Sequence, residues 1–220
     1  MIIELHPLQF EWVGLSDYDV VLKRQKEIAS HLRESQTKAA WILGTEHREI
    51  ITLGHRAKPE EEILNLESAW MRTDRGGLAT LHSPGQLVIY PIVPLSLLGL
   101  GVKDWVCALL KISMTALTAW GAEGLRAQDD GVYSTKGKLV SIGIKVDRGV
   151  AYHGLALNLE NDLSLFSQIR SCGQFQRPMD RLVDIVTKES VLAQAGGGNL
   201  AEAVFRTWRT EFIDFTKGQS

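Results

Sequence analysis

Apolar residues recur with helical spacing in several parts of the chain. Near the N-terminus, a helix start signal at Ser16 is followed by apolar positions at that spacing. Residues 104–120 are long, apolar on much of their circumference and free of glycine and proline, which predicts a buried helix. Residues 199–215 form a last helix with a predicted core-facing stripe, for which partner binding is the alternative. That stripe comprises Leu200, Val204, Trp208 and Phe212.

Shorter apolar runs are typical of strands. Residues 39–43 and 50–53 are β-prone, and a Gly-rich segment at 75–86 leads into another strand at 87–90. Residues 138–146 and 150–159 are joined by Asp147-Arg-Gly149, which predicts a β-hairpin. Strands and helices in this mixed order predict an α+β fold with a mixed, largely antiparallel sheet and flanking helices. We expect a single domain over residues 1–220.

The amino-acid composition and the N-terminal residues give no sign of a nucleic-acid-binding, membrane or secreted protein. The 220 residues carry 24 Lys plus Arg and 26 Asp plus Glu, a formal net charge of −2. This balance gives no electrostatic reason to expect nucleic acid or a membrane surface as partner. The N-terminal residues lack the basic and long apolar parts of a signal peptide, so we expect a cytoplasmic protein. The histidines lack metal-ligand spacing, and neither a metal nor a cofactor is predicted.

The two cysteines differ in their surroundings. Cys107 lies inside the apolar helix, where we expect it to act as a small hydrophobic side chain. Cys172 lies among polar and flexible neighbours, and Gly173 allows a ligand or another backbone to approach closely. By itself, an accessible loop cysteine is more often idle than catalytic. Cys172 is therefore a candidate nucleophile that needs a partner.

Lys138 is the candidate partner. It begins the strand Lys138-Leu-Val-Ser-Ile-Gly143, and strict alternation places it on the face of Val140, Ile142, Ile144 and Val146. A lysine at the end of an apolar row either reaches back to water or is held in the interior. Burial in general makes an amine easier to deprotonate, as a proton acceptor near neutral pH requires.

Three further segments contain glycine and histidine in patterns suited to a binding pocket. The first is Arg75-Gly-Gly-Leu-Ala-Thr-Leu-His-Ser-Pro-Gly-Gln86, which does not match the spacing of a phosphate-binding loop. The second is His153-Gly-Leu-Ala-Leu-Asn158, and the third is Glu46-His-Arg-Glu-Ile-Ile-Thr-Leu-Gly-His-Arg56. We interpret His82 and His153 as hydrogen-bonding residues that shape the pocket rather than as proton carriers.

Taken in order, these segments resemble the octanoyltransferases that begin protein lipoylation, the LipB family. The family's Arg-Gly-Gly-x-x-Thr-Tyr-His-Gly-Pro-Gly-Gln-Leu-Val-x-Tyr-Pro is matched by residues 75–91, with Leu81 and Ser83 as departures. Its His-Gly-Leu-Ala-Leu-Asn is matched in full, and its Lys-Ile-Ala-x-Ile-Gly and Pro-Cys-Gly are matched in part. The resemblance covers roughly residues 41–179 and implies the fold of biotin and lipoate protein ligases.

Function and site residues follow from this resemblance as expectations. Cys172 matches the nucleophile that carries the acyl thioester, and Lys138 matches the lysine that activates it. The implied substrates are octanoyl-acyl carrier protein and the lipoyl domains of 2-oxoacid dehydrogenase complexes and of glycine cleavage H protein. The resemblance also implies that the protein itself is a monomer. The residues matching the segments that line the acyl substrate are Arg75, Gly76, Gly77, Leu78, Ala79, Thr80, Leu81, His82, Ser141, Ile142, Gly143, His153, Gly154, Leu155 and Ala156.

The departures from the family pattern leave two other functions open. Ser83 adds a side chain that can narrow the pocket mouth, Tyr133 stands where a Trp is common, and Ser171 replaces a Pro before the nucleophile. The changes at Ser83 and Ser171 fit a non-catalytic module that binds acyl groups or lipoyl domains. The same fold also serves ATP-dependent lipoate ligases, which activate the acid as an adenylate and need no nucleophilic cysteine.

Overall fold

Two β-sheets with helices packed on them make up the part of the chain that the computed structural model describes, residues 7–35, 37–65, 68–170, 178–194 and 198–218. The strands are β1 (Leu8–Ser16), β2 (Ala40–His47), β3 (Ile50–Leu53), β4 (Trp70–Arg72), β5 (Ala79–His82), β6 (Gln86–Pro94), β7 (Arg126–Gln128), β8 (Gly131–Tyr133), β9 (Lys138–Asp147) and β10 (Val150–Asn158). The helices are α1 (Tyr18–Ser35), α2 (Pro59–Glu62), α3 (Val102–Ala119), α4 (Lys188–Gln194) and α5 (Leu200–Lys217).

The larger sheet has seven strands in the order β1-β2-β6-β10-β9-β8-β7, and the smaller has three in the order β4-β3-β5. Only β1–β2 and β3–β4 are parallel pairs among these strands. The β9–β10 hairpin is antiparallel, with Val150 opposite Asp147. The predicted α+β class, the mixed and largely antiparallel sheet and the hairpin are therefore confirmed.

The two faces of the larger sheet are covered by different helices. α1 packs on one face through Val21, Ala29 and Leu32, against side chains of β6 and β10. α3 and α5 cover the other face and form the main core. The predicted stripe of α5 is buried in that core, and the Trp208 indole N–H donates to Ser113 Oγ of α3 at 3.3 Å. The core-facing interpretation is thus confirmed and the partner-binding alternative is not.

The prediction of a buried central helix is wrong for one face of α3. Trp105, Leu109 and Ile112 are buried, but Cys107 is exposed and lies in a shallow surface groove with Leu110 and other α3 side chains. Because apolar residues occur around most of this helix, the sequence did not show which of its faces is exposed. Cys107 is consequently an accessible thiol rather than a core residue.

Four strands, β1, β5, β7 and β8, were not predicted from the sequence pattern. β1 ends at Ser16, the residue expected to begin the first helix, and its residues are mostly half-buried without clear alternation. β5 lies inside the segment interpreted as a Gly-rich loop, where it pairs with β3.

Pro91 lies within β6, a central strand, although proline has no N–H for the ladder. The pairing of β6 with β10 is interrupted beside Pro91, between Ala151 and Leu155, so no β10 residue is paired with the proline.

Candidate active site

A cavity of about 380 Å³ lies where β5, β6 and the β9–β10 hairpin meet the first turn of α1. This volume is within the usual range for small-molecule sites. Every predicted substrate-binding residue lines it except Gly76 and Leu81. Leu81 is fully buried in the core under the smaller sheet, and the Gly76 N–H donates to Ile144 O at 2.8 Å. Three segments distant in sequence therefore form one wall.

Arg75 fastens the first of these segments to the smaller sheet. Its side chain is buried, and Nη2 donates to Thr52 O at 2.6 Å and to Thr52 Oγ1 at 3.0 Å. Nη1 donates to Gly76 O at 3.0 Å. These charge-assisted bonds fix the path of the chain just before it enters the cavity wall. Ser83 is buried and is not one of the lining residues. The expectation that its side chain narrows the mouth of the cavity is therefore wrong.

Lys138 is held in the interior, with 1% of its side chain exposed, and lines the cavity. The predicted face is wrong, because β9 has a β-bulge: Tyr133 pairs with Lys138 but Val132 pairs with Val140, which makes Leu139 the extra residue. Leu139 and Val140 both enter the main core, together with Ile142, Ile144 and Val146. The bulge reverses the alternation and directs Lys138 toward the cavity with Ser141 and Gly143.

His82 lines the cavity and belongs to a buried polar network. Gln86 Nε2 donates to Asn158 Oδ1 at 2.9 Å, which leaves Gln86 Oε1 to accept from His82 Nδ1 at 2.8 Å. Asn158 Nδ2 in turn donates to Asp180 O at 3.1 Å. Burial lowers the pKa of His82 well below its ordinary value. The ring is therefore neutral at physiological pH and serves as a fixed donor within the wall.

His153 has an unusual backbone conformation that turns it toward α1. Its φ of +57° is rare for a non-glycine residue and costs about 1–3 kcal/mol. In return, its N–H donates to Gln25 Oε1 at 2.9 Å and its ring stacks on Tyr152 at 5.0 Å. Nε2 lies 2.8 Å from Asp74 Oδ1, and because an ionised carboxylate only accepts, Nε2 carries the proton.

The Asp74–His153 pair has a defined charge state. The hydrogen bond from His153 holds the pKa of Asp74 well below its usual range, despite partial burial. Burial in turn lowers the pKa of His153. Nδ1 of His153 is then a lone-pair acceptor, and it finds no partner among the described residues. The arrangement favours a neutral, oriented imidazole in the wall.

The wall also contains side chains outside the predicted set of substrate-binding residues, namely Tyr18, Arg56, Val88, Tyr90 and Asp130. Behind them, His47 Nδ1 donates to Ser16 O at 3.0 Å, so its Nε2 accepts from the Tyr90 hydroxyl at 2.8 Å. Burial lowers the pKa of His47 to about 4 and raises that of Tyr18 to about 12. The rings of His47 and Tyr18 are therefore neutral near pH 7.

Cys172 lies outside the described residues, as do its neighbours 171–177. The chain before this segment is anchored where the Arg170 N–H donates to Glu62 O at 2.8 Å. Glu62 Oε2 in turn accepts from the N–H of Ala79, which lines the cavity, at 3.3 Å. This anchor therefore lies close to one wall of the cavity.

The chain after the same segment is anchored on Lys138 itself. The Lys138 N–H donates to Pro178 O at 2.9 Å, and the Asp180 N–H donates to Lys138 O at 3.0 Å. Arg170 and Pro178, the described residues that flank this segment in sequence, are thus both hydrogen-bonded beside the cavity. The proximity of its sulfur to the Lys138 amine stays a prediction.

Two features are absent from the described residues, namely a cluster of metal ligands and a membrane-spanning helix. Within those ranges, no group of three or more His, Cys, Asp or Glu side chains is placed to hold a metal ion. None of the helices in the described ranges combines the length and apolarity needed to cross a bilayer.

Residues 17–195 match the family model of the lipoyl protein ligase A/B catalytic domain. The chain belongs to this family. Several octanoyltransferases in it are similar over most of their length. The protein of Xanthomonas campestris pv. campestris (strain 8004) is 33% identical over 180 residues, 81% of this chain and 77% of that protein. The protein of Chromohalobacter salexigens is 34% identical over 83% of this chain and 82% of that protein. The protein of Halorhodospira halophila is 40% identical over 70% of each chain.

Solved structures of lipoate ligases share the fold at low sequence identity. A lipoate-protein ligase A bound with ATP superposes with a TM-score of 0.69 at 13% identity, covering 94% of this chain and 83% of that one. P. falciparum LipL1 in complex with lipoate gives 0.71 at 11% identity, covering 97% of this chain and 63% of that one. At such identities the likeness confirms the expected ligase-type fold and says nothing of the reaction.

Proposed function

We propose that the protein is an octanoyltransferase that moves an octanoyl group from acyl carrier protein to a lysine amine of lipoyl domains. The octanoyltransferases that are 33–40% identical to it support this activity. The observation that carries the proposal in the structure is the position of Lys138. This buried amine lies in the wall of a cavity that the matched acyl-binding segments form together.

In the first half-reaction, we propose that Cys172 is the nucleophile. A thiolate is the reactive form of cysteine, and a nearby ammonium stabilises it. The sulfur attacks the octanoyl carbonyl carbon, a new C–S bond forms, and the bond to the carrier's pantetheine sulfur breaks. Lys138 gives its proton to the departing sulfur and becomes neutral.

In the second half-reaction, the amine of the lipoyl-domain lysine attacks the Cys172 thioester. Neutral Lys138 accepts the proton that the amine loses, and an amide forms while the cysteine sulfur leaves as a thiolate. The thiolate and the ammonium are thereby restored. Because one thioester is exchanged for another and then for an amide, no nucleotide is consumed.

The oxyanion formed in each step needs hydrogen-bond donors. We propose the backbone N–H of Cys172 together with one from the turn that follows His153. The N–H of His153 itself already donates to Gln25 Oε1 at 2.9 Å, so the second donor lies further along the chain. A complex with an acyl analogue in which no N–H faces the carbonyl oxygen would refute this assignment.

The test of the activity is transfer without ATP. Octanoyl-acyl carrier protein and an apo lipoyl domain are incubated with the protein in nucleotide-free buffer, and the lipoyl domain is weighed by mass spectrometry. We expect octanoylation by the wild type and strong loss in Lys138→Ala. Lys136→Ala is the matched control, because this lysine is exposed two residues away.

Two results would overturn the proposal. A strict requirement for ATP with free octanoate or lipoate would identify a ligase. Binding of the acylated carrier without transfer, under conditions in which a known octanoyltransferase is active, would identify a non-catalytic binding module.

A further inference from the structure

Asp130 forms an ion pair with Lys138 in the cavity wall. Its Oδ2 lies 2.9 Å from Lys138 Nζ, and both residues line the cavity. The side chain of Lys138 is 1% exposed, whereas that of Asp130 is 37% exposed. The carboxylate therefore lies on the solvent side of the amine, at the boundary between the cavity and the surrounding water.

Strand β8 and the residue before it are built to hold this pair. The Tyr133 hydroxyl donates to Asp130 Oδ1 at 2.9 Å, so each carboxylate oxygen has a defined partner. The Tyr133 ring centre lies 5.7 Å from Lys138 Nζ, within the range of a cation–π contact. The Ile142 N–H donates to Asp130 O at 3.1 Å and fixes the backbone of the aspartate.

Gly131 provides the space for the lysine side chain. A Cβ at this position would lie 2.8 Å from Lys138 Cε and 1.8 Å from Val140 O. The approach to the Val140 carbonyl excludes a side chain at this position, and glycine thereby leaves room for Lys138 Cε beside the strand. Three neighbouring residues, Asp130, Gly131 and Tyr133, thus define where the Lys138 amine lies.

We propose that Asp130 is a positioning residue for Lys138 in both half-reactions, an inference that rests on the proposed acyl transfer. An ammonium has three N–H donors and a neutral amine has two. In either state one N–H is donated to Asp130 Oδ2, which keeps the amine at the cavity wall while it gives up a proton and takes one back. Without the carboxylate, the amine loses this acceptor and its position at the cavity wall is less well defined.

A purely structural role for the pair is the competing explanation, because a buried ammonium needs a partner. The two roles differ in what they change. A structural role alters the fraction of protein that is folded, whereas a positioning role alters the rate of each correctly folded molecule. Rates therefore have to be divided by the concentration of active sites.

The experiment compares Asp130→Asn and Asp130→Glu with the wild type in single turnovers. Acylation by octanoyl-acyl carrier protein and transfer to an apo lipoyl domain are followed separately by intact mass, and each is normalised to the acylatable fraction. Misplacing a reacting group by about 1 Å costs roughly 100-fold. We expect Asp130→Asn to slow both steps by about 10- to 100-fold with KM for the carrier unchanged, and Asp130→Glu to restore part of the rate. Asp129→Asn, an exposed neighbour, is the matched control and should behave as the wild type.

Outcomes for this inference and for the proposed function are separable. If the wild type transfers octanoyl groups and Asp130→Asn does so at the same rate per active site, the inference is wrong while the proposed function stands. A lower acylatable fraction with an unchanged rate likewise assigns Asp130 a structural role only. If the wild type forms no acyl enzyme and transfers nothing, the proposed function itself fails.

Discussion

Replacing Gly154 by alanine tests how closely β10 approaches β6 at the cavity. A Cβ at Gly154 would lie 2.1 Å from Ile89 O and 2.7 Å from Pro91 Cδ. The ordinary C···O contact is about 3.3 Å, so the two strands would have to separate by about 1.2 Å. Neither neighbour is the mobile end of a side chain, because one is backbone and the other is a proline ring in the same strand.

The cost of this separation is at the upper end for overpacking, about 3 kcal/mol. For a chain of this length, each kcal/mol lowers the unfolding midpoint by about 2–4 °C, so Gly154→Ala should lose about 6–12 °C. Thermal unfolding followed by calorimetry measures the loss. Because Gly154 lines the cavity, the octanoyl transfer rate should also fall in the folded fraction.

Gly149→Ala is the matched control. Gly149 lies in the hairpin turn with φ +82°, and no atom lies within 4 Å of a Cβ built there. This variant carries only the cost of an unfavourable backbone conformation, about 1–2 kcal/mol. A Gly154→Ala midpoint within about 2 °C of the wild type, or a smaller loss than in Gly149→Ala, would refute the argument from close approach.

Three further predictions concern charge and accessibility. The pKa of His47 is about 4 in the folded protein and 6.5 ordinarily, so its contribution to stability is present above pH 6.5 and is lost as the pH falls toward 4. His47 should contribute about 3 kcal/mol to the stability lost in urea unfolding between pH 7.5 and pH 4, and His47→Gln should reduce the pH dependence by that amount; equal slopes in the variant and the wild type would contradict this. Asp74→Ala removes the acceptor of the buried His153 ring and should lower the free energy of unfolding in urea by about 1–3 kcal/mol. The control is Lys26→Ala, because the Lys26 side chain is half-exposed and its ammonium lies 3.6 Å from the same carboxylate; this variant should lose less than about 0.5 kcal/mol. Equal losses in the two variants would show that the buried bond is unimportant. The exposed Cys107 should be alkylated by iodoacetamide in the native protein, and Cys107→Ser should retain full transfer activity; a loss of activity would place Cys107 in the site.

Local patterns were sufficient for much of the fold. The β9–β10 hairpin and the buried stripe of α5 each follow from residues close together in sequence, where period and turn signals act directly. The strand β1 lacked such a signal, because its residues are mostly half-buried on both faces. The exposure of Cys107 was also missed, since a helix that packs on one side can have apolar residues around much of its surface.

The site was predicted as a set of segments, but its geometry was not. Alternation along β9 placed Lys138 on the core face, and only the bulge at Leu139 turns the amine into the cavity. A bulge depends on the register with β8, which a single strand's sequence does not encode. The partner Asp130 and the pair Asp74–His153 were missed for a related reason. Asp130 meets Lys138 through the register of β8 with β9, and Asp74 is 79 residues from His153 in sequence.

The formation of an acyl enzyme on Cys172 tests the account most directly. Protein carrying Cys107→Ser is incubated with octanoyl-acyl carrier protein alone, and the intact mass is recorded before and after hydroxylamine treatment. The account predicts one hydroxylamine-sensitive octanoyl group per chain, its absence in the Cys172→Ala variant, and its loss when an apo lipoyl domain is added. Octanoylation of the lipoyl domain by the Cys172→Ala variant at the wild-type rate would contradict the central claim.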